Sequence, residues 1–109
     1  MTRCAVELHE EVAAWLGALD EPDWHRMVVV IDRLADLGPA ARMPLSRSLG
    51  GGLFELRVHL AGVARRVTYR FTADGRIILL TTFQKQRQRE RVEIDRARRV
   101  AAECARCNP

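Results

Sequence analysis

Aromatic side chains are scarce in this 109-residue chain: two Trp, one Tyr and three Phe make up 6% of it. A module that reads single-stranded bases by stacking needs several exposed rings, so that route to nucleic acid is disfavoured at once. Cysteine is also scarce, and its count of three is odd, with Cys4 near one end and Cys104 and Cys107 near the other. A disulfide framework wants an even number. Cys104-x-x-Cys107 lacks the second pair that would complete four zinc ligands, so no metal site is expected. No apolar run approaches the roughly 20 residues that cross a bilayer. The N-terminus, Met-Thr-Arg-Cys followed by acidic residues, has no apolar signal core. A cytoplasmic protein without a membrane partner is the expectation.

What is present suits one globular domain over residues 1–109, with 48% hydrophobic and 29% charged residues. The net charge of +4 is unevenly spread. Residues 1–38 hold eight acids against three bases, a net of −5, and residues 39–109 hold fifteen bases against six acids, a net of +9. The chain is expected to be electrostatically two-sided. Nucleic acid or an acidic protein should approach the half built from the later residues, although a basic terminal helix can equally be a solvated surface.

Hydrophobic spacing supplies the elements. Ala5-Val6-Glu7-Leu8 reads as an edge strand, and residues 9–19 as a helix with Val12, Trp15, Leu16 and Leu19 on one face. Asp20-Glu21-Pro22-Asp23 has helix-start chemistry, an acid to cap free amides and a proline in the first turn. The helix it opens carries Trp24, Met27, Val28, Ile31, Leu34 and Ala35 at three- and four-residue steps, with both tryptophans taken as core, and ends at Gly38-Pro39. Residues 40–52 read as loop, closing on Gly50-Gly51-Gly52, which lacks the spacing and the Lys-Ser/Thr of a phosphate-binding loop. Strands are predicted over 53–60, 64–72 and 76–83, with Asp74-Gly75 as a hairpin turn. The third, Ile77-Ile78-Leu79-Leu80, is apolar on both faces and belongs inside a sheet. A last helix over 87–105 sets Ile94, Ala97, Ala101 and Cys104 in one stripe.

Alternation gives the strands a distinctive second face. Glu55, Arg57 and His59 from one, and Arg66, Thr68 and Arg70 from the next, are expected on a wet surface opposite the apolar residues. A cationic sheet face with one carboxylate and one imidazole suits a phosphodiester. Tyr69 alternates with Val67 and Phe71 on the apolar face, which favours packing over contact with RNA.

Three segments in register carry a resemblance: Gly52-Leu53-Phe54-Glu55-Leu56-Arg57, Arg66-Val67-Thr68-Tyr69 and Ile78-Leu79-Leu80-Thr81-Thr82-Phe83-Gln84-Lys85. Together they resemble the RelE/ParE toxin superfamily, and within it the phage-derived Gp49-like, HigB-type branch. The N-terminal Glu11-Val12-Ala13-Ala14-Trp15-Leu16 is similar in style, so the likeness runs through nearly the whole chain in order. It implies an α+β, RelE-like fold, two N-terminal helices packed on a small, twisted, mainly antiparallel sheet, with a C-terminal helix.

The resemblance further implies a toxin of a type II toxin–antitoxin pair: a ribosome-dependent mRNA endoribonuclease working without metal or cofactor, partnered by mRNA, the ribosome and a small helix-turn-helix antitoxin. A ParE-like gyrase inhibitor without chemistry of its own, or a non-catalytic nucleic-acid-binding regulator, is the alternative. Metal-free RNA cleavage requires attack by the ribose 2′-OH, stabilisation of a phosphorane and protonation of the leaving 5′-oxygen. Arg57 and Arg66 are candidates for the phosphate, with Lys85, which resembles the family's lysine beside that site. His59 or Glu55 is the candidate for proton transfer; some RelE-like proteins carry lysine in place of Glu55. Arg70, Arg87, Arg89 and Tyr69 are candidate RNA contacts. The antitoxin is expected to cover the cationic face with an acidic or amphipathic segment.

Overall fold

A computed structural model of the protein describes residues 3–86 and 88–104. Its elements follow the order β1 (Val6–Leu8), α1 (Glu10–Ala18), α2 (Glu21–Leu37), β2 (Ser46–Gly50), β3 (Leu53–Leu60), β4 (Val63–Phe71), β5 (Ile77–Gln84) and α3 (Glu90–Glu103). The strands form one sheet in the order β1-β5-β4-β3-β2, with β1 parallel to β5 and every other neighbour antiparallel. The α+β arrangement implied by the resemblance is therefore present.

Two helices and the sheet's first face make the larger core. Val12 and Leu16 of α1, with Met27 and Leu34 of α2, pack on Leu56, Val58, Leu60, Val67, Tyr69, Ile77 and Leu79. The start of α2 is capped as its sequence predicts: Asp20 accepts a hydrogen bond from the Asp23 amide at 3.1 Å, with Pro22 in the first turn. Gly38 ends the helix at φ +54°, a conformation costly to other residues, and a Cβ there would lie 3.1 Å from Cys4 Sγ. The second face of the sheet carries a smaller core, Leu53, Ile78 and Leu80 against Ala97, Ala101 and Cys104 of α3. β5 is thus buried on both sides, the environment its double-apolar sequence demands.

Two expectations are corrected. The segment 40–52 is not all loop, because Ser46–Gly50 pairs with β3 as an edge strand. Its polar Ser-Arg-Ser sequence hides the strand, since one face is solvated and pairing is supplied by β3. The glycine triplet is the turn of that hairpin, with φ of +87°, +62° and +81° at Gly50, Gly51 and Gly52. Trp24 lies outside the core at 44% exposure, one turn too early on α2 to reach the sheet.

β5 contains a bulge that strict alternation conceals. Thr68 pairs with Thr81 and Tyr69 with Leu79, leaving Leu80 as an extra residue. Beyond it the faces exchange, so Thr81 and Phe83 stand opposite Thr68 and Arg66 on the second face. Thr68 and Thr81 seal the join with hydroxyls 2.5 Å apart.

One ion cluster ties the layers together at the end of β5. Arg96 of α3 binds the Glu11 carboxylate of α1 and lies 3.1 Å from Glu93, and Glu11 also accepts the Thr82 amide at 2.9 Å. Burial alone would raise the Glu11 pKa, but the bonds from Arg96 and Thr82 outweigh it and hold the carboxyl below its usual range. A folded pKa below the unfolded one gives stability that is present above about pH 4.3 and lost as pH falls through the folded value. Glu11→Gln should therefore cost about 1–2 kcal/mol at pH 7 in urea denaturation. The gap to wild type should close as the titration is repeated below pH 4.

Candidate phosphate-binding site

Arg57 and Arg66 stand directly opposite each other on β3 and β4. The Arg57 amide is turned the other way, donating to the Leu45 carbonyl at 2.8 Å. The pair is therefore a non-hydrogen-bonded one, in which Cα atoms approach to about 4.5 Å and side chains run closest. Two cations so placed repel each other. Glu55, two residues before Arg57 on the same face, answers that repulsion. Its Oε1 lies 3.4 Å from Arg57, 3.8 Å from Arg66 and 3.3 Å from Arg47 on the neighbouring β2. Arg47 in turn reaches Glu90 at the start of α3, at 3.7 Å.

The face expected to be wet is therefore only partly so. Glu55 is 0% exposed, Arg66 2% and Thr68 0%. The unrecognised strand β2 lies beside β3, and α3 crosses the same face, which together cover what an isolated hairpin would leave open. Arg57 stays half-buried and His59 exposed. Glu55 Oε2 and Arg66 Nε are buried without a hydrogen-bond partner. Burial, and then Arg57, lower the Arg66 pKa while Glu55 opposes them, yet a guanidinium starting so high remains charged.

Arg57, His59 and Arg66 open into a groove of about 700 Å³ between the end of β3, α2 and the segment before β2. Its other cations are Arg26 and Arg33 of α2 and Arg42, and no carboxylate lines it. Sequence reasoning missed these three. The acidic count of residues 1–38 masked Arg26 and Arg33, and the detectable signal was their common stripe with Val30 and Leu37 at helical spacing. The two-sidedness expected from the halves of the chain is thus broken by α2, whose arginines join the later residues.

The remaining candidates are dispersed. Lys85 donates its amide to the Ala64 carbonyl at 2.9 Å, and the β5 register continues to it on the Phe83 and Arg66 face. Arg70 lies at the other end of β4, where it borders a separate hollow of about 230 Å³ with Gly51, Gly52 and Arg98. Four residues of strand, roughly 13 Å, separate it from Arg66, so it does not join the Arg57 cluster. Arg89 is exposed at the N-cap of α3, and Arg87 lies outside the described residues. Tyr69 is 1% exposed, hydrogen-bonded to Ser46 and stacked on Phe54 at 5.4 Å, which places it in the core and not against RNA. Burial raises its pKa, an effect the Ser46 hydroxyl partly offsets.

Among the described residues no cluster of three or more His, Cys, Asp or Glu could hold a metal; Cys107 lies outside them. Among the same residues no helix is long and apolar enough to cross a membrane. The family of phage-derived Gp49-like proteins (DUF891) matches residues 14–101, more than three quarters of the chain. No curated protein matches it.

The ion cluster generates a stability prediction. Glu55→Gln removes the counter-charge of a buried guanidinium and should cost about 3–5 kcal/mol in equilibrium denaturation. Glu55→Leu combined with Arg66→Met should recover most of that loss, because the buried charge leaves with its partner. Equal destabilisation of the single and double variants would show that Glu55 does not serve as counter-ion.

Proposed function

The chain belongs to the phage-derived Gp49-like family of the RelE/HigB-type toxin branch, toxins of toxin–antitoxin pairs whose partner is an antitoxin, and on that premise we propose that it is a metal-free endoribonuclease that cuts mRNA on the ribosome. The observation that carries this reading is the opposed Arg57–Arg66 pair, with Arg57 reaching a groove that has no carboxylate in its lining.

In the proposed reaction the 2′-OH attacks the adjacent phosphorus in line and the 5′-oxygen leaves. Charge builds on the phosphorane oxygens, and a preorganised donor aimed at them is worth about 3–4 kcal/mol. Arg57 is suited to that task because it is half-buried, so its charge is little screened, yet it reaches the groove. Arg66 lies behind it and adds positive potential from a buried position. Glu55 is suited less to proton transfer than to holding the arginines, since its Oε1 faces three guanidinium groups and its side chain has no access to solvent. His59 is the residue best placed to accept the 2′-OH proton. It is exposed on the Arg57 face, and an imidazole is the side chain most often used as a general base. Lys85, beyond Phe83 on the same face, is the group proposed to give the departing 5′-oxygen its proton. The ribosome would hold the RNA in line, which can supply a large part of the acceleration.

The test is a brief induction followed by mapping of mRNA 5′ ends. Wild type should create new ends within reading frames and arrest growth. Arg57→Ala should lower cleavage by about 10²–10³-fold and His59→Gln by about 10²–10⁴-fold, both with an unchanged melting curve. Intact mRNA accompanied by DNA damage would replace this reading with gyrase inhibition.

A further inference from the structure

At the end of the sheet away from the groove stand two cations that the proposed reaction does not use. Arg70 of β4 and Arg98 of α3 converge on the hollow of about 230 Å³ beside the β2–β3 turn, where Gly51 and Gly52 form part of its lining. α3 is brought to this place by packing, since Ala101 shares the smaller core with Leu53 at the start of β3. No carboxylate lines the hollow.

The two guanidinium groups are held differently. Arg98 is fixed, its Nη1 donating to the Gly50 carbonyl at 3.1 Å and its Nη2 to that of Leu49 at 2.7 Å. These bonds use two of its five N–H donors and neutralise none of its charge. Gly51 permits the approach, because a Cβ there would lie 3.4 Å from Arg98 Nη1. Arg70 is half-buried, and its Nε is buried without a hydrogen-bond partner. Among the described residues its side chain has no ion pair either. By contrast, Arg57 and Arg66 share Glu55, and Arg96 binds Glu11. Withdrawing a charge from water without a partner is costly, so Arg70 weakens the free protein and an anion beside it would recover the loss.

Size and charge narrow the ligand. The hollow is smaller than the roughly 300 Å³ at which pockets for drug-sized molecules begin, and no aromatic ring lines it to stack a base. One small group fits. Guanidinium forks match paired oxygens of carboxylate or phosphate. Two uncompensated cations favour the anion of higher charge, and a phosphate monoester carries about −1.5 to −2 at pH 7.

We propose that the Arg70–Arg98 hollow binds a dianionic phosphate group, carried by orthophosphate or by the monoester end of an oligonucleotide. Arg98 supplies a preset fork, and Arg70 supplies the charge that the anion neutralises. The site is separate from Arg57 and stands whether or not the protein cuts RNA.

Thermal denaturation of the intact protein in orthophosphate, against chloride at matched ionic strength, tests this. Saturating phosphate should raise the wild-type Tm by about 5 °C. Arg70→Met should melt no lower than wild type in chloride and should lose the phosphate increment. Arg98→Gln should also lose most of it, and repeats the test should Arg70→Met fold poorly. Arg57→Ala should keep the increment, which separates this hollow from the groove. A short DNA strand, which has no 2′-OH to react, distinguishes the two carriers. If an oligonucleotide end is the carrier, a 5′-phosphate should tighten binding to wild type about tenfold and leave binding to Arg70→Met unchanged. If orthophosphate is the carrier, the 5′-phosphate should make no difference while the Tm increment remains. No increment in wild type, or an equal one in wild type, Arg70→Met and Arg98→Gln, would overturn the proposal.

Discussion

The Glu55 carboxylate beneath Arg57, Arg66 and Arg47 is the interaction on which the rest of the site depends. An antiparallel sheet that places two arginines directly opposite, in the closer kind of pair, is opposed by their repulsion. Burying one of them at 2% exposure raises the cost further, because an uncompensated buried charge is worth several kcal/mol. A single carboxylate within 3.3–3.8 Å of all three guanidinium groups makes the arrangement tenable. Arg66 is confined, while Arg57 keeps contact with the groove.

The surroundings of that cluster come from elements whose main work is packing. α3 buries Ala97 and Ala101 on Ile78 and Leu80, and the same approach brings Glu90 toward Arg47. The β5 bulge turns Thr81 and Phe83 to the cluster's face while Ile77 and Leu79 stay in the larger core. One inserted residue, Leu80, lets a single strand serve two differently composed faces. β2 supplies Arg47 and closes the flank of β3. Its partner Tyr69 is anchored from the opposite face through Ser46, so the charged and apolar sides of the sheet are fastened at the same edge.

The groove gains its character from a helix that looks acidic in composition. Separation of Asp32 and Asp36 from Arg26 and Arg33 around α2 gives a cationic wall without carboxylates. Arg57 and His59 stand at one end of the groove, and the exposed aliphatic residues Leu37 and Met43 lie along the other.

Periodicity alone was sufficient for most elements, because burial on one face imposes a period of two or 3.6 wherever it occurs. The Asp20 cap, the double-apolar Ile77-Ile78-Leu79-Leu80 and the Ile94-Ala97-Ala101-Cys104 stripe all carry their structural meaning locally, and the strand segments carried the family likeness. Alternation also put Arg57 and Arg66 on one face. It could not tell that Arg66 and Glu55 would be buried, since that depends on β2 and α3 arriving from distant parts of the chain. Nor could it separate Arg70 from the cluster or bring Arg26, Arg33 and Arg42 to it. Local sequence determines which way a side chain leaves its own strand or helix; what it meets there is decided by elements that pack from elsewhere, and the chemistry of a charged group depends on that meeting.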